Sequence, residues 1–301
     1  MNKMAWFIPC HFCFKENRYI MSEYDVQIEK CLKTFIDKKM QKHKLKTQFP
    51  NELLREDVLD LLDMFSTVVY YPLDDNNCGF HTKNMPLKKS QDKDFVYINT
   101  AKTKDEQNFT AAHELGHIWE ADNYVISELG LDADDTQKEA IINRFAAILL
   151  MPEDSFKKIA FEGLGKLVKD SNKILLDDFI KLCVILMNHF FTTYKSVVNR
   201  FIELGILLTE NSDSLKKDSI VKHINFYINE LGYTKLSKKD ERKWINGLPE
   251  LLNTAERNKL VPASKVEALR KAFELEPPVD IEPQDQYLPL KTQEGANDND
   301  N

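Results

Sequence analysis

Apolar residues recur every three to four positions along most of the chain, the spacing of an α-helix that buries one face. The pattern predicts helices over 23–46 and 52–65, and again over about 104–121 and 136–150. The further helices that it predicts cover 153–161, 175–190, 193–204, 219–231, 238–253 and 263–274. Such a sequence indicates a mostly helical protein.

A different pattern separates the second predicted helix from the third. Residues 66–73 (STVVYYPL), 79–82 (GFHT) and 95–99 (FVYIN) are rich in β-branched and aromatic residues, and polar or turn-forming residues lie between them. We predict three short strands joined as an antiparallel meander. A small sheet among many helices places the chain in the α+β class.

The composition is that of a folded protein with a large core. Hydrophobic residues make up 43% of the 301 positions and aromatic residues 10%, which excludes a mostly disordered chain. No apolar stretch approaches the roughly 18 residues of a membrane-spanning helix. The five cysteines are an odd number scattered through the chain, which favours a reducing compartment, so we expect a cytoplasmic location.

The two ends of the chain differ from the rest. Residues 1–22 form a predicted N-terminal extension, and Pro9 and His11 interrupt its apolar run, which argues against a signal peptide. The alternative is that Met21 is the natural start. Residues 276–301 hold seven acidic residues, one lysine and four of the eleven prolines, so we expect a disordered acidic tail. Because this tail carries most of the net charge of −7, the body is nearly neutral and direct nucleic-acid binding is not expected.

The sequence His-Glu-Leu-Gly-His beginning at His113 is the HExxH pattern of zinc peptidases, and a capping box of Thr103 and Glu106 marks the start of its predicted helix. Four residues along a helix turn a side chain only about 40° and advance it about 6 Å. His113 and His117 therefore project from one face, where two imidazoles can share a zinc ion. Glu114 is rotated by about 100° and lies beside the metal, where its carboxylate can act as general base.

A catalytic zinc needs a third protein ligand and leaves its fourth position to water. The acidic residues available downstream are Glu120, Asp122, Glu128, Asp132, Asp134, Asp135 and Glu139. Glu120 lies on the motif helix and cannot easily bend back, and the acids from Glu128 to Asp135 lie in a predicted loop, which holds a ligand poorly. Glu139 opens the next predicted helix, so we expect it to complete a site for one zinc ion per chain. The alternative is that Glu139 is only a favourable negative charge in a first helical turn.

Three other side chains are candidates for supporting roles. Asn143 lies one turn after Glu139 and is placed to accept a hydrogen bond from the second ring nitrogen of His113, as the outer partners of metal ligands do. Ordinary polar packing is the alternative for Asn143. Tyr124 and Arg144 are candidates for stabilising the oxyanion of a tetrahedral intermediate, and the sequence does not choose between them.

Two further groups are weaker candidates for chemistry. Cys78 and His81 flank a predicted turn and could approach the active site as an inhibitory thiolate, but a turn cysteine without function is the simpler interpretation. Cys10 and Cys13 have the CxxC spacing, but no second pair follows at the spacing of a structural zinc site. We assign no function to either group.

Two stretches of the chain resemble the ImmA/IrrE family of metallo-endopeptidases. Residues 108–117 (NFTAAHELGH) match the active-site helix of that family, and residues 139–152 (EAIINRFAAILLMP) match the helix that carries its glutamate ligand and an asparagine. Residues 190–205 are similar to its helix-turn-helix-like segment. The resemblance implies a cytoplasmic zinc endopeptidase of mobile elements and stress switches, whose protein substrate is a DNA-binding repressor.

The predicted fold is α+β and mostly helical, with a small antiparallel sheet packed on the HExxH helix and on the second ligand helix in a zincin-like arrangement. We expect the metallopeptidase core over 23–206, including the helix-turn-helix-like segment, and a helical C-terminal module over 207–275. We also expect the substrate to lie extended along the strand that leads into the motif helix. The residues of that strand are Phe95, Val96, Tyr97, Ile98 and Asn99.

The main alternative is a non-catalytic regulator, in which a zinc-containing core is a scaffold for binding a repressor or DNA. Such a scaffold needs the metal ligands but has no use for a general base, so the presence of Glu114 favours the peptidase. Residues 207–275 contain 13 basic and 10 acidic residues. This small excess of positive charge suits docking of a protein partner better than binding of DNA.

Overall fold

The computed structural model describes residues 23–74, 76–82, 93–167, 174–207, 215 and 218–275. Predictions for the N-terminal extension, for Cys10 and Cys13 and for the acidic tail lie outside these residues. Within them the protein is mostly helical and carries one small sheet, so the predicted α+β class is confirmed. None of the described helices is both long enough and apolar enough to cross a bilayer.

The helices follow the apolar periodicity closely in most of the chain. Their bounds are α1 Glu23–Lys42, α2 Leu45–Gln48, α3 Asp57–Phe65, α4 Lys104–Trp119, α5 Ala121–Leu129, α6 Asp135–Leu150, α7 Glu153–Leu167, α8 Leu176–Phe190, α9 Tyr194–Glu203, α10 Val221–Glu230, α11 Leu248–Arg257 and α12 Ala263–Ala272. Part of the acidic stretch after the motif helix, predicted as a loop, forms α5 instead. Ala121 and Val125 are fully buried on α5, because this helix packs between α1 and α6.

The sheet has four strands, β1 (Ser66–Tyr71), β2 (Gly79–Thr82), β3 (Asp94–Asn99) and β4 (Trp244–Ile245), in the spatial order β2-β3-β1-β4. The three predicted strands are present, but the predicted antiparallel meander is wrong. β1 pairs with β3 in parallel, and only β2 runs antiparallel to β3. Alternation of apolar residues fixes which face of a strand is buried, and it does not fix the direction of the neighbouring strand.

The segment that follows α10 joins the sheet. A helix predicted over 238–253 begins only at Leu248, with proline in its first turn. The preceding residues are extended, and Ile245 in β4 pairs with Val69 of β1. Backbone hydrogen bonds of this segment run to the loop before α4, including one of 3.2 Å from the N–H of Glu241 to the carbonyl of Thr100. Tertiary pairing therefore overrides the local helical pattern.

The chain divides into two compact units, and the division lies at Asn246–Gly247. It does not lie at the predicted boundary after residue 206, because α10 packs on α8 and β4 completes the sheet of the first unit. The second unit contains α11 and α12, which bury Leu252 and Val266. Arg270 of α12 donates hydrogen bonds to the Asn253 side chain and to the carboxylate of Glu256.

The helices predicted over 175–190 and 193–204 are confirmed as α8 and α9. α9 is largely buried, with Val197 and Phe201 fully inside the core. Arg200 on the same helix is also fully buried, and its guanidinium donates to the Glu29 carboxylate at 2.9 Å and to the carbonyl of Met151 at 3.1 Å. These contacts tie α9 to α1 and to the end of α6. Packing against the core is therefore the structural role of α9.

α4 lies at the centre of the first unit, in contact with α6, with α3 and with strands β2 and β3. Gly116 is the point of closest approach to α6: a Cβ atom there would lie 2.8 Å from Cδ1 of Phe145 and 3.3 Å from Cγ2 of Ile142. Only a residue without a side chain lets the two helices pack this closely. This contact brings the polar face of α4 against the first turns of α6.

Candidate metal centre and active site

α4 presents the two histidines of the HExxH motif on one face. The helix begins with the predicted capping box, in which the N–H of Thr103 donates to the Glu106 carboxylate at 2.9 Å. His113 and His117 follow one turn apart, and their Nε2 atoms lie 3.1 Å from each other. Both imidazoles therefore direct the same ring nitrogen toward one point.

α6 adds a carboxylate to this pair. Glu139 lies in the second turn of α6, which starts with its own capping box of Asp134 and Gln137. One carboxylate oxygen of Glu139 lies 3.4 Å from Nε2 of His113, and the other lies 3.4 Å from Nε2 of His117. The three side chains form a group that could hold a metal ion. Among the described residues, none of the other acids considered as third ligand joins a group of this kind.

Asn143 accepts a hydrogen bond from the ring of His113. Its Oδ1 atom lies 3.1 Å from Nδ1 of His113, one turn of α6 beyond Glu139. An amide oxygen only accepts, so Nδ1 of His113 carries the proton and Nε2 keeps its lone pair. Burial lowers the pKa of His113, and the neighbouring His117 lowers it further. A neutral imidazole with a free Nε2 lone pair is the form that binds a metal.

Glu114 is almost completely buried, with 5% of its surface exposed. Burial raises the pKa of this carboxyl to about 7, and the negative charge of Glu139 contributes to the increase. A divalent cation held by the adjacent histidines would act in the opposite direction, because it favours the ionised form. The protonation state of Glu114 near neutral pH therefore depends on whether a cation is bound beside it.

Tyr124 and Arg144, the two candidates for stabilising an oxyanion, engage α1 instead. The Tyr124 hydroxyl accepts a hydrogen bond of 2.9 Å from Lys38, and its ring lies 4.6 Å from that of Phe35. Arg144 donates to the carboxylate of Asp25 at 2.9 Å. The structure therefore gives both side chains roles in helix packing.

The prediction that a substrate pairs along β3 is wrong. β3 lies inside the sheet, where residues from Phe95 to Ile98 pair with β2 on one side and with β1 on the other. The prediction assumed that the last strand before the motif helix is an edge strand, whereas the chain inserts β3 between two earlier strands. In the sheet of the described residues, the edge next to α4 belongs to β2.

β2 brings a further histidine to the site. The ring of His81 is nearly parallel to that of His117, at an angle of 15° and a centroid distance of 6.2 Å. Its Nε2 atom lies 2.9 Å from the carboxylate of Asp94, and only 10% of its side chain is exposed. The sequence placed His81 beside a turn and gave it no role of its own. Side chains of a strand alternate between its two faces, so Gly79 and His81 share one face of β2. This alternation was the feature of the sequence that could have indicated a role for His81.

Comparison with known families agrees with this geometry. The family described as Peptidase_M78, IrrE N-terminal-like domain, matches residues 67–200. This stretch of the chain is similar to the Peptidase_M78 family. The resemblance to ImmA/IrrE proteins is thereby confirmed, and the matched stretch runs from β1 to α9. The match to Peptidase_M78 supports a metallopeptidase-like role, which implies a protein substrate and a metal cofactor. No curated protein matches the chain.

Proposed function

We propose that this protein is a zinc-dependent endopeptidase that cleaves a regulatory protein, a helix-turn-helix repressor of a mobile element or of a stress response. The observation that carries the proposal is the convergence of two Nε2 atoms and one carboxylate, at 3.1 to 3.4 Å from one another, beside a buried Glu114.

The donor set fits zinc. Catalytic zinc sites combine two histidines with one carboxylate, and ligands at about 2.0–2.1 Å around a tetrahedral ion lie roughly 3.3 Å from one another. His113, His117 and Glu139 have this composition and these separations, so they would hold one ion per chain. Zinc held there would polarise a peptide carbonyl and make a water molecule more acidic.

Glu114 is the proposed general base. Its carboxylate accepts a proton from the attacking water and returns it to the amide nitrogen as the peptide bond breaks. A metal ion held by the adjacent histidines would favour the ionised form of Glu114, which is the form that accepts a proton. Asn143 keeps the His113 ring in the orientation and tautomer that a ligand needs.

β2 is the proposed binding strand for the substrate. An edge strand can pair with an extended peptide through its main-chain N–H and carbonyl groups. β2 is the edge strand that contacts α4, and His81 on this strand lies next to His117. A peptide paired with β2 would therefore pass the metal ligands with its main chain extended.

A protein substrate fits the surface of this molecule better than DNA does. The helix that would read DNA in a helix-turn-helix is α9, and most of its side chains are buried in the core. The choice of a repressor rests on the resemblance to ImmA/IrrE proteins. A purely structural scaffold is less favoured, because burying the Glu114 carboxyl costs free energy and a scaffold has no use for a general base.

The test is to incubate the purified zinc-loaded chain with the repressor encoded beside its gene, with and without chelator, and to look for a single cut. We expect cleavage only with metal, and a loss of several orders of magnitude in Glu114→Gln, because the amide cannot accept a proton. Glu162→Gln on the exposed surface of α7 is the matched control and should cut normally. An intact repressor, or undiminished cutting by Glu114→Gln, would overturn the proposal.

A further inference from the structure

The residues of β2 alternate between two faces of the sheet. His81 faces α4 and stacks on His117, so its neighbours Phe80 and Thr82 lie on the opposite face. Phe80 is 49% exposed, although a phenylalanine on a sheet is usually covered. The exposed ring therefore lies on the strand that borders the candidate metal centre.

Phe80 packs against an aromatic residue on the same face of the sheet. Its ring centroid lies 5.2 Å from that of Tyr97, the residue directly opposite it on β3. Tyr97 is only 7% exposed and donates a hydrogen bond of 2.9 Å to the carbonyl of Tyr71 on β1. The Phe80 ring therefore packs on Tyr97, and the hydrogen bond to Tyr71 holds Tyr97 in place.

We propose that Phe80 is a specificity-determining residue, which selects substrates with a large apolar side chain at the position that pairs opposite it. The inference rests on the proposed function, in which an extended peptide adds to the edge of β2. A residue paired across two strands places its Cβ about 4.5–5.5 Å from that of its partner. Side chains at every second peptide position then face the Phe80 side of the sheet, and the intervening ones face α4.

The chemistry of the contact favours an aromatic or branched apolar residue. Cross-strand pairs of aromatic residues with each other or with β-branched residues are among the more stabilising pairs on a sheet. A charged side chain at that position would lose water against the ring and gain no partner of opposite charge from it. Main-chain pairing reads no sequence by itself, so this contact would supply a preference that the strand edge lacks.

Phe95 offers a matched control. It is a phenylalanine on the same face, opposite Thr82, and it is 45% exposed, but it lies on the interior strand β3. A peptide strand added to the edge of β2 would contact the side chains of β2 directly. β3 would lie one strand further away, on the other side of β2. The two phenylalanines therefore differ mainly in their distance from the peptide.

The experiment uses the full chain with zinc added and with Glu114→Gln, so that bound peptides are not cut. Random 12-residue peptides displayed on phage are selected on this protein, and the selected peptides are measured by fluorescence anisotropy. We expect them to share a large apolar residue at one fixed position. Adding Phe80→Ala should weaken their binding about fivefold, Phe80→Tyr should restore most of it, and Phe95→Ala should change it less than about twofold.

Three outcomes overturn the inference: peptides without a shared apolar position, no selected peptide at all, or equal losses from Phe80→Ala and Phe95→Ala. Cleavage of the same peptides by the chain with Glu114 intact separates this inference from the proposed function. Binding that depends on Phe80 without metal-dependent cleavage would reject the peptidase and keep the subsite. Cleavage that ignores Phe80→Ala would keep the peptidase and reject the subsite.

Discussion

The Oδ1 atom of Asn143 lies 3.1 Å from Nδ1 of His113, while the other ring nitrogen of His113 faces Glu139 at 3.4 Å. α6 thus contributes both a candidate metal ligand and the group that orients a ligand on α4. One turn of a single helix separates the two contributions. The relative position of α4 and α6 is therefore the property on which the candidate metal centre depends.

Asn143→Ala should weaken zinc binding by about 10- to 100-fold, because the His113 ring loses the acceptor that fixes its tautomer. Competition with a chelating dye measures this affinity directly. Asn123→Ala, an exposed asparagine on α5, is the control and should bind zinc as the unaltered chain does. Equal affinities in all three proteins would mean that Asn143 serves only packing.

Zinc should bind with a stoichiometry of one ion per chain and should raise the melting temperature. A free zinc concentration about 100 times the dissociation constant adds roughly 2.7 kcal/mol, which corresponds to about 5–10 °C for a domain of this size. Elemental analysis and thermal unfolding with and without chelator measure both effects. Glu139→Ala should abolish the shift, and Glu128→Ala on α5 should retain it. A full shift in Glu139→Ala would place the third ligand elsewhere.

Gly116→Ala should destabilise the protein by about 1–3 kcal/mol, although alanine is the better helix former. The new methyl group would lie 2.8 Å from Phe145 and force α4 and α6 apart. Gly165 on α7 is the matched control, because a Cβ there meets nothing within 4 Å. Gly165→Ala should therefore stabilise by up to about 1 kcal/mol. Urea unfolding measures both, and two effects of the same sign would contradict the argument.

Arg200→Met should cost about 3–5 kcal/mol, because it leaves the Glu29 carboxylate buried without its closest partner. Replacing Glu29 by methionine as well should recover part of that loss, because the buried Glu29 carboxylate is then gone and only Glu203 still lacks its ion pair with Arg200. Lys138→Met breaks an exposed pair with Asp135 and should change the stability by less than about 1 kcal/mol. Equal losses from Arg200→Met and Lys138→Met would show that burial does not set the energy of this network.

The local parts of the site were predictable from the sequence. The bounds of α4 and α6 follow from helical periodicity and capping residues, and the geometry of a helix then fixes the faces on which His113 and Glu139 lie. A catalytic zinc needs a third ligand, and Glu139 was chosen over its neighbours because a helix holds a ligand more rigidly than a loop does. These arguments need only short stretches of chain.

The arrangement of the strands was not predictable in the same way. The pattern of β3 is compatible with an edge or an interior position, and its insertion between β1 and β2 depends on the whole unit. Residues 238–246 carry a helical pattern, and their place beside β1 results from pairing with a strand more than 170 positions earlier. The contact of His81 with His117 was missed for the same reason, since it depends on which strand lies next to α4.

The two edges of the sheet are formed by different kinds of strand. In the described residues, β4 pairs with β1 and forms one edge of the sheet. The other edge is β2, which is only four residues long. Unpaired strand edges are templates on which other chains can aggregate, and folded proteins keep them short or covered. In a chain ending before Trp244, the six-residue strand β1 would replace the two-residue strand β4 as the edge of the sheet. The late return of the chain to the sheet therefore replaces a long strand edge by a short one, which leaves less main chain for pairing with a second copy of the protein.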